Sequence, residues 1–74
     1  MSETNSERMD LAAKENGWSV TVQHGVRTYK KHGSTFEVVM RDEEILRVRE
    51  DGAIVAYRHL APNPTQSVID MLSA

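Results

Sequence analysis

The chain of 74 residues carries a net charge of −2 at pH 7 and contains no cysteine. Its length corresponds to a single domain, residues 1–74, and the lack of cysteine excludes a disulfide or thiolate–metal framework that would compensate for a small core. No apolar run approaches the ~20 residues of a membrane-spanning helix, and no basic stretch precedes an apolar block at the N-terminus, so we expect a cytoplasmic protein without a secretory signal.

The first predicted element is an α-helix over residues 6–16. Thr4 and Glu7 have the spacing of a capping box, in which each side chain accepts a hydrogen bond from the backbone N–H of the other residue. Gly17 follows the last helix-favouring residues, as a glycine does when it ends a helix in the left-handed conformation. Residues 1–5 are expected to form a disordered tail before this helix.

Glycine-containing turns divide the middle of the chain into strands. These turns are His24-Gly25, His32-Gly33 and Asp51-Gly52. Asp-Gly between alternating apolar and polar runs favours a two-residue type I′ turn, because both central residues need a positive φ, and His-Gly is a weaker form of the same signal. Successive turns of this kind predict an antiparallel meander of four to five strands.

The turn between the third and fourth long strands lacks glycine and contains the acidic residues 42–44. A two-residue loop there would pair Met40 with Ile45 and interrupt the apolar alternation. A three-residue loop instead pairs Met40 with Leu46 and preserves the alternation, which matters because a shift of one residue turns every later side chain to the other face. We therefore expect the longer loop, with or without a β-bulge.

This register places nearly every large apolar residue on one face of the sheet, which we call the inner face. Its predicted members are Trp18, Val20, Val22, Tyr29, Phe36, Val38, Met40, Leu46, Val48, Val55 and Tyr57. Arg27 is the one charged residue in that series, and we expect it to reach water near the end of the sheet.

A second helix is predicted after the sheet, from Pro64 to the end of the chain. Asn63 has a side chain suited to cap it, and Pro64 suits its first position because proline has no N–H to leave unpaired. Two short amphipathic helices would then cover the inner face. The predicted fold class is α+β: a two-layer, antiparallel four- to five-stranded meander flanked by an N-terminal and a C-terminal helix packed on one face, in the order α-β-β-β-β-β-α.

The opposite face of the sheet, the outer face, combines arginines with aliphatic side chains. By the same register it contains Thr21, Thr28, Lys30, Glu37, Val39, Arg41, Ile45, Arg47, Arg49, Ile54, Ala56 and Arg58. An open antiparallel face is often simply solvated, yet aliphatic side chains together with arginine are typical of the centre of protein interfaces. The candidate partner-binding residues are Val39, Arg41, Ile45, Arg47, Arg49, Ile54, Ala56 and Arg58.

The histidines and carboxylates do not predict a metal site or a catalytic site. His24 and His32 belong to turns at opposite ends of the sheet, roughly 20 Å apart at ~3.3 Å per residue, which is too far to share an ion. His59 is expected near residues 42–44, where a histidine–carboxylate cluster is conceivable, but residues at strand ends are ordinarily solvated. The sequence has no glycine-rich phosphate loop, nucleophile motif or metal-ligand spacing, so we expect no cofactor.

Residues 15–18, the short meander and the Asp51-Gly52 hairpin resemble small uncharacterised proteins of actinobacteria and their phages. The resemblance covers most of the chain and implies a small cytoplasmic accessory protein that binds a partner in the host cell, without catalytic residues. The order of helices and strands is also similar to that of the double-stranded-RNA-binding domain. The basic second helix of that family is missing here, because residues 63–74 contain Asp70 and no Lys or Arg.

The sequence therefore predicts a small non-enzymatic protein-interaction module. We expect a homodimer, formed through the outer face or through a sheet edge, and binding of a protein partner through the outer face. The alternative is a nucleic-acid-binding protein that lays the same basic face on phosphates. The mild acidity of the chain and the lack of an exposed aromatic row for base stacking make this alternative the second choice.

Overall fold

The computed structural model describes residues 3–74 of the chain. Within this range the elements are α1 (Asn5–Glu15), β1 (Ser19–Gln23), β2 (Val26–Lys31), β3 (Ser34–Arg41), β4 (Glu44–Glu50), β5 (Ala53–Ile54), α2 (Tyr57–Leu60) and α3 (Pro64–Ser73). The strands pair in the order β1-β2-β3-β4-β5, so the sheet is an antiparallel meander. The predicted α+β fold is confirmed, with the N-terminal and C-terminal helices packed on the sheet. No helix in residues 3–74 is long and apolar enough to cross a membrane.

The capping box predicted for α1 is present. The Thr4 hydroxyl accepts a hydrogen bond from the Glu7 N–H at 3.2 Å, and the Glu7 carboxylate accepts one from the Thr4 N–H at 3.2 Å. The helix begins and ends one residue earlier than predicted. Thr4 and Asn5, which were expected to lie in a disordered tail, form the start of α1, and residues 1–2 lie outside the described residues.

The end of α1 positions Trp18 at the start of the sheet. Gly17 has a φ of 83°, in the left-handed region that commonly ends helices. The Gly17 N–H donates to the Lys14 carbonyl at 3.2 Å, and the Trp18 N–H donates to the Ala13 carbonyl at 2.8 Å. This Schellman arrangement satisfies two carbonyls at the helix end and directs the chain into β1.

The glycine turns form as predicted. His24, His32 and Asp51 have φ values of 51°, 46° and 51°, and the glycines that follow them have φ values of 77°, 84° and 88°. Both central residues of each turn are therefore left-handed, as a type I′ hairpin requires. The β1–β2 and β2–β3 pairings follow the predicted register, in which Tyr29 lies opposite Phe36.

The β3–β4 turn differs from the prediction. Only Asp42 and Glu43 form the loop, with φ values of 52° and 64°, and Met40 lies opposite Ile45. The register then shifts by one position, so that Leu46 is the extra residue of a β-bulge. The predicted three-residue loop is wrong, because the bulge restores the alternation in the rest of β4 without a longer turn.

The bulge exchanges the environments of Ile45 and Leu46. Ile45 packs against the core, whereas Leu46 is 63% exposed, which is the reverse of the predicted positions. We expect Ile45→Ala to lower the free energy of unfolding by about 1 kcal/mol and Leu46→Ala to change it by less than about 0.5 kcal/mol. Urea denaturation followed by circular dichroism measures both values, and equal losses would contradict the bulge.

The fifth strand is shorter than predicted, and α2 replaces its end. Ala56 is the N-cap of α2 and Arg58 lies within the helix, so neither residue continues the outer face. Tyr57, predicted on the inner face, is 73% exposed. The helical turn brings Leu60 into the core, and burial of a leucine side chain is worth about 1.5–3 kcal/mol. Continued pairing with β4 would not provide that burial.

The core lies between the inner face and the helices. Its buried apolar residues are Met9, Ala13, Trp18, Tyr29, Phe36, Val38, Val48, Leu60, Val68 and Leu72. Val22 shares the inner face by register, but it does not pack against this cluster and is 51% exposed. α3 begins as predicted, with Pro64 as its first residue and with the Asn63 side chain accepting a hydrogen bond from the Gln66 N–H at 3.2 Å.

Candidate interaction surface

The outer face of the sheet is the surface that the helices leave open. Cross-strand pairing aligns two rows of residues on it: Thr21, Thr28, Glu37, Arg49 and Ile54 in one, and Gln23, Val26, Val39 and Arg47 in the other. Arg41 follows Val39 on the same face of β3 and lies opposite Glu44. Because cross-strand partners have Cβ atoms about 5 Å apart, the side chains within each row are neighbours.

The aliphatic and arginine residues of these rows form one surface. We define the outer patch as Val26, Val39, Arg41, Arg47, Arg49 and Ile54. Ile54 is 65% exposed although it is aliphatic. Both valines and Arg49 are half-buried, while the other two arginines are exposed. The outer patch thus presents apolar surface between guanidinium groups.

Most of the predicted partner-binding residues belong to this patch. Those that do are Val39, Arg41, Arg47, Arg49 and Ile54. Ile45 does not, because it lies on the inner side of the bulge, and its predicted place on the outer face is wrong. Ala56 and Arg58 do not either, because the chain has left the sheet at α2. Val26 is absent from the predicted set, although its position two residues before Thr28 signals the same face.

The cations of the outer face form no ion pair with any of the residues that the structure describes. The charged residues of this face are Lys30, Arg41, Glu37, Glu44, Arg47 and Arg49. In residues 3–74 the only salt bridge joins Arg27 to Asp10. Glu37 lies opposite Arg49 in the register without forming a salt bridge. The outer guanidinium groups are therefore available to an external carboxylate or phosphate.

The Arg27–Asp10 pair lies on the inner face and joins α1 to β2. Arg27 donates through Nε to Asp10 Oδ1 at 3.0 Å and through Nη2 to Oδ2 at 2.8 Å. The Tyr29 hydroxyl donates to Asp10 Oδ1 at 2.8 Å. Arg27, expected to reach water near the end of the sheet, has a side chain that is 19% exposed, and its guanidinium group ends in this ion pair. Both carboxylate oxygens are thus engaged in holding α1 against the sheet.

The cluster shifts the pKa values of its members. Burial raises the pKa of Asp10, but the hydrogen bonds from Arg27 and Tyr29, together with the Arg27 charge, outweigh burial and hold that pKa below its usual range. Burial, followed by the hydrogen bond to Asp10, raises the pKa of Tyr29. Asp10 is therefore ionised and Tyr29 neutral at pH 7, the states that keep all three hydrogen bonds.

A second carboxylate, Glu43, holds the β3–β4 turn against the start of α1. The Ser6 N–H donates to Glu43 Oε1 at 2.8 Å, and the Ser6 hydroxyl donates to Oε2 at 3.0 Å. The Asn5 side-chain amide donates to the Glu43 carbonyl at 2.9 Å. The Ser6 N–H and then its hydroxyl lower the pKa of Glu43. These contacts offset the unfavourable left-handed φ of a glutamate.

An open groove of about 650 Å³ lies between β5, α2 and α3. His59, Ser67 and Asp70 line it, but the Ser67 hydroxyl donates to the Leu60 carbonyl at 2.9 Å and Asp70 accepts from the Gln66 amide at 3.0 Å. No hydrogen bond joins a nucleophile to a base among these three side chains. In the described part of the chain, no group of three or more His, Asp or Glu residues is arranged to hold a metal ion.

The outer patch is therefore the surface whose chemistry is least explained by the fold itself. The inner ion pair and the Glu43 contacts hold elements together, and the groove residues make local hydrogen bonds. No protein-family model matches the chain, and no match is found among curated proteins or among solved structures.

Proposed function

We propose that the chain is a small non-enzymatic interaction module that acts in the cytoplasm and binds a partner protein through the outer patch. One observation supports the proposal most: a sheet face that the helices leave open carries aliphatic side chains between arginines that form no salt bridge in residues 3–74. The centres of protein interfaces combine these residue types, because arginine contributes both apolar contact area and directed hydrogen bonds.

The chemistry of the outer patch favours an acidic partner surface that also presents aliphatic side chains. Arg47 and Arg49 lie two residues apart on one face of β4, and Ile54 lies opposite Arg49 on β5. Each guanidinium group can hold a carboxylate through two parallel hydrogen bonds. Ile54 and the neighbouring valines supply apolar area, which contributes about 25 cal/mol for each Å² removed from water.

The resemblance to small proteins of actinobacteria and their phages indicates which kind of partner to expect. That resemblance implies an accessory protein that acts by binding something in the host cell. We therefore propose a host-cell protein with an acidic, partly aliphatic surface as the partner. Such a partner would bury Ile54, which is otherwise an exposed aliphatic side chain on an open face.

We expect the double variant Arg47→Glu, Arg49→Glu to bind the partner at least tenfold more weakly than the unchanged chain, because two attractions become repulsions. The measurement is affinity capture from the native host with quantitative mass spectrometry, followed by titration of the captured protein in purified form. Arg58→Glu is the control for a charge reversal outside the outer patch, since it makes on α2 the change that each position of the double variant receives.

Two results would contradict the proposed surface. The first is capture by the double variant at the level of the unchanged chain. The second is an equal loss of capture by Arg58→Glu, which would indicate a general effect of net charge. Thermal unfolding of each variant accompanies the capture, because an unfolded variant would lose binding for a different reason.

The alternative function, nucleic-acid binding, draws support from four cations of the outer face that form no salt bridge within the described part of the chain and could contact phosphates. Two features disfavour it: Glu37 lies in the middle of that face, and no aromatic residue accompanies the cations there. A gel-shift titration at low and high salt separates the two functions. Retardation that weakens steeply with salt would favour nucleic acid over a protein partner.

A further inference from the structure

The free edge of β1 lacks the features by which native proteins block further strand pairing. Among the strands of residues 3–74, β1 has β2 as its only neighbour in the sheet. Its residues Ser19–Gln23 include no charged residue, proline or glycine, and four of the five are exposed. Native sheets usually protect such an edge with lysine, proline, a bulge or a covering element. The opposite edge is protected, because β5 is only two residues long and is followed by α2.

The hydrogen-bonding pattern of the β1–β2 hairpin shows which backbone groups face this free edge. Gln23 pairs with Val26 across a two-residue turn, and the pair next to such a turn exchanges hydrogen bonds, as does every second pair after it. Val20 and Val22 therefore direct their N–H and C=O groups away from β2. Neither residue takes part in a backbone hydrogen bond outside the strand pairs of the described chain.

We propose that a second copy of the chain pairs with β1 in antiparallel orientation about a two-fold axis at Thr21. In this register Thr21 lies opposite Thr21 of the second copy, and Val20 lies opposite Val22 of the second copy on either side of the axis. These valines are the residues whose backbone groups face outward, so both pairs are of the hydrogen-bonded kind. The two sheets become one continuous sheet of ten strands.

The side chains of β1 are complementary to those of β1 in a second copy. The β1 sequence Ser-Val-Thr-Val-Gln is symmetric in chemical type about Thr21. In an isologous contact each residue therefore lies opposite a residue of the same type. On the inner face, pairing places the half-exposed Val22 beside Val20 of the second copy, which packs against its own core. On the outer face, threonine meets threonine, a favourable cross-strand pair.

The lack of charge on β1 and the small size of the core both favour a second copy of the chain at this edge. No like charges are brought into opposition, because the strand is uncharged. A domain of this length has a core that alone supplies about 3–5 kcal/mol, and association is a common additional source of stability. The outer patch lies on β2 to β5, away from the axis, so the proposed dimer leaves it open. This inference is therefore independent of the partner proposed for the outer patch.

Val22→Pro tests the edge directly. Proline removes the Val22 N–H, which the single chain does not use, and proline is tolerated on edge strands. Val22→Thr is the matched control, because it keeps the N–H and a β-branched side chain. Sedimentation equilibrium over a concentration series is expected to give twice the chain mass of 8.4 kDa for the unchanged protein and for Val22→Thr, and the single mass for Val22→Pro.

Three outcomes would overturn the proposal: a single mass for the unchanged protein at every concentration, an unchanged dimer in Val22→Pro, or a single mass for the variant Arg47→Glu, Arg49→Glu. The last would place the dimer contact on the outer patch. Circular dichroism is the control that tests whether each variant is folded. Hydrogen exchange gives a second readout, since the Val20 and Val22 amides are expected to exchange at least tenfold more slowly in the concentrated protein than in the diluted one.

Discussion

Trp18→Ala is expected to abolish the cooperative unfolding transition of this protein. The indole is buried among helix and sheet residues, and its Nε1–H donates to the Leu72 carbonyl at 2.8 Å. Its ring meets Phe36 edge to face, with centroids 5.3 Å apart. Truncating a buried tryptophan costs about 3–5 kcal/mol, which is as much as a core of this size supplies. The variant should therefore be largely unfolded in buffer.

Trp18→Phe is the matched comparison for this prediction. It keeps an aromatic ring beside Phe36 but removes the donor to Leu72, so we expect a loss of about 1–2 kcal/mol and a transition that remains cooperative. Urea titration followed by far-ultraviolet circular dichroism measures both variants without relying on indole fluorescence. A Trp18→Ala midpoint close to that of the unchanged chain would show that α3 and the sheet do not depend on this contact.

The stability of the protein is expected to fall as the pH drops below about 4. The pKa values of Asp10 and Glu43 are lowered in the folded state, whereas unfolded aspartate and glutamate titrate near about 3.9 and 4.3. A group with a lowered folded pKa contributes stability above its unfolded pKa and loses that contribution as the pH falls through the folded pKa. The loss therefore lies on the acid side, and urea midpoints measured from neutral to acid pH report it.

Asp10→Asn tests which carboxylate carries this acid dependence. The change removes a carboxylate that accepts three hydrogen bonds, two of them from Arg27. We expect the free energy of unfolding to fall by about 1.5–3 kcal/mol at neutral pH. We also expect it to decrease less with falling pH, because the Asp10 carboxylate no longer titrates. Glu43→Gln should also reduce the acid slope, through the contacts to Ser6. An acid slope that Asp10→Asn leaves unchanged would rule out the ion pair as its source.

The sequence could predict the sheet where a glycine turn marks at least one end of a strand. Each such turn fixes which residues lie opposite each other, so counting outward from it gives the register of β1, β2 and most of β3. The inner position of Tyr29 and Phe36 follows from that register. Arg47 and Arg49 are placed correctly for the same reason, since they are counted back from the Asp51-Gly52 turn.

The predictions fail where the strand pairing becomes irregular, because counting from a turn then gives the wrong partner. Ile45 and Leu46 are both aliphatic, so the alternation alone cannot say which one faces the core, and the bulge reverses the prediction. α2 was missed because four residues are too few to show a helical period. The ion pair of Arg27 was missed because it depends on the rotation of α1 about its axis, which strand alternation does not describe.

In the part of the chain that the structure describes, all four connections between consecutive strands contain two residues. Each strand pairs with its immediate successor, so the sheet can grow by closing very short loops, which cost little chain entropy. The contact of α1 with α3, seen in the hydrogen bond from Arg8 Nη2 to Gln66 Oε1 at 3.1 Å, instead joins the two ends of the sequence. Low contact order in the sheet favours rapid folding, and the meeting of the chain ends is the step with the greatest entropic barrier.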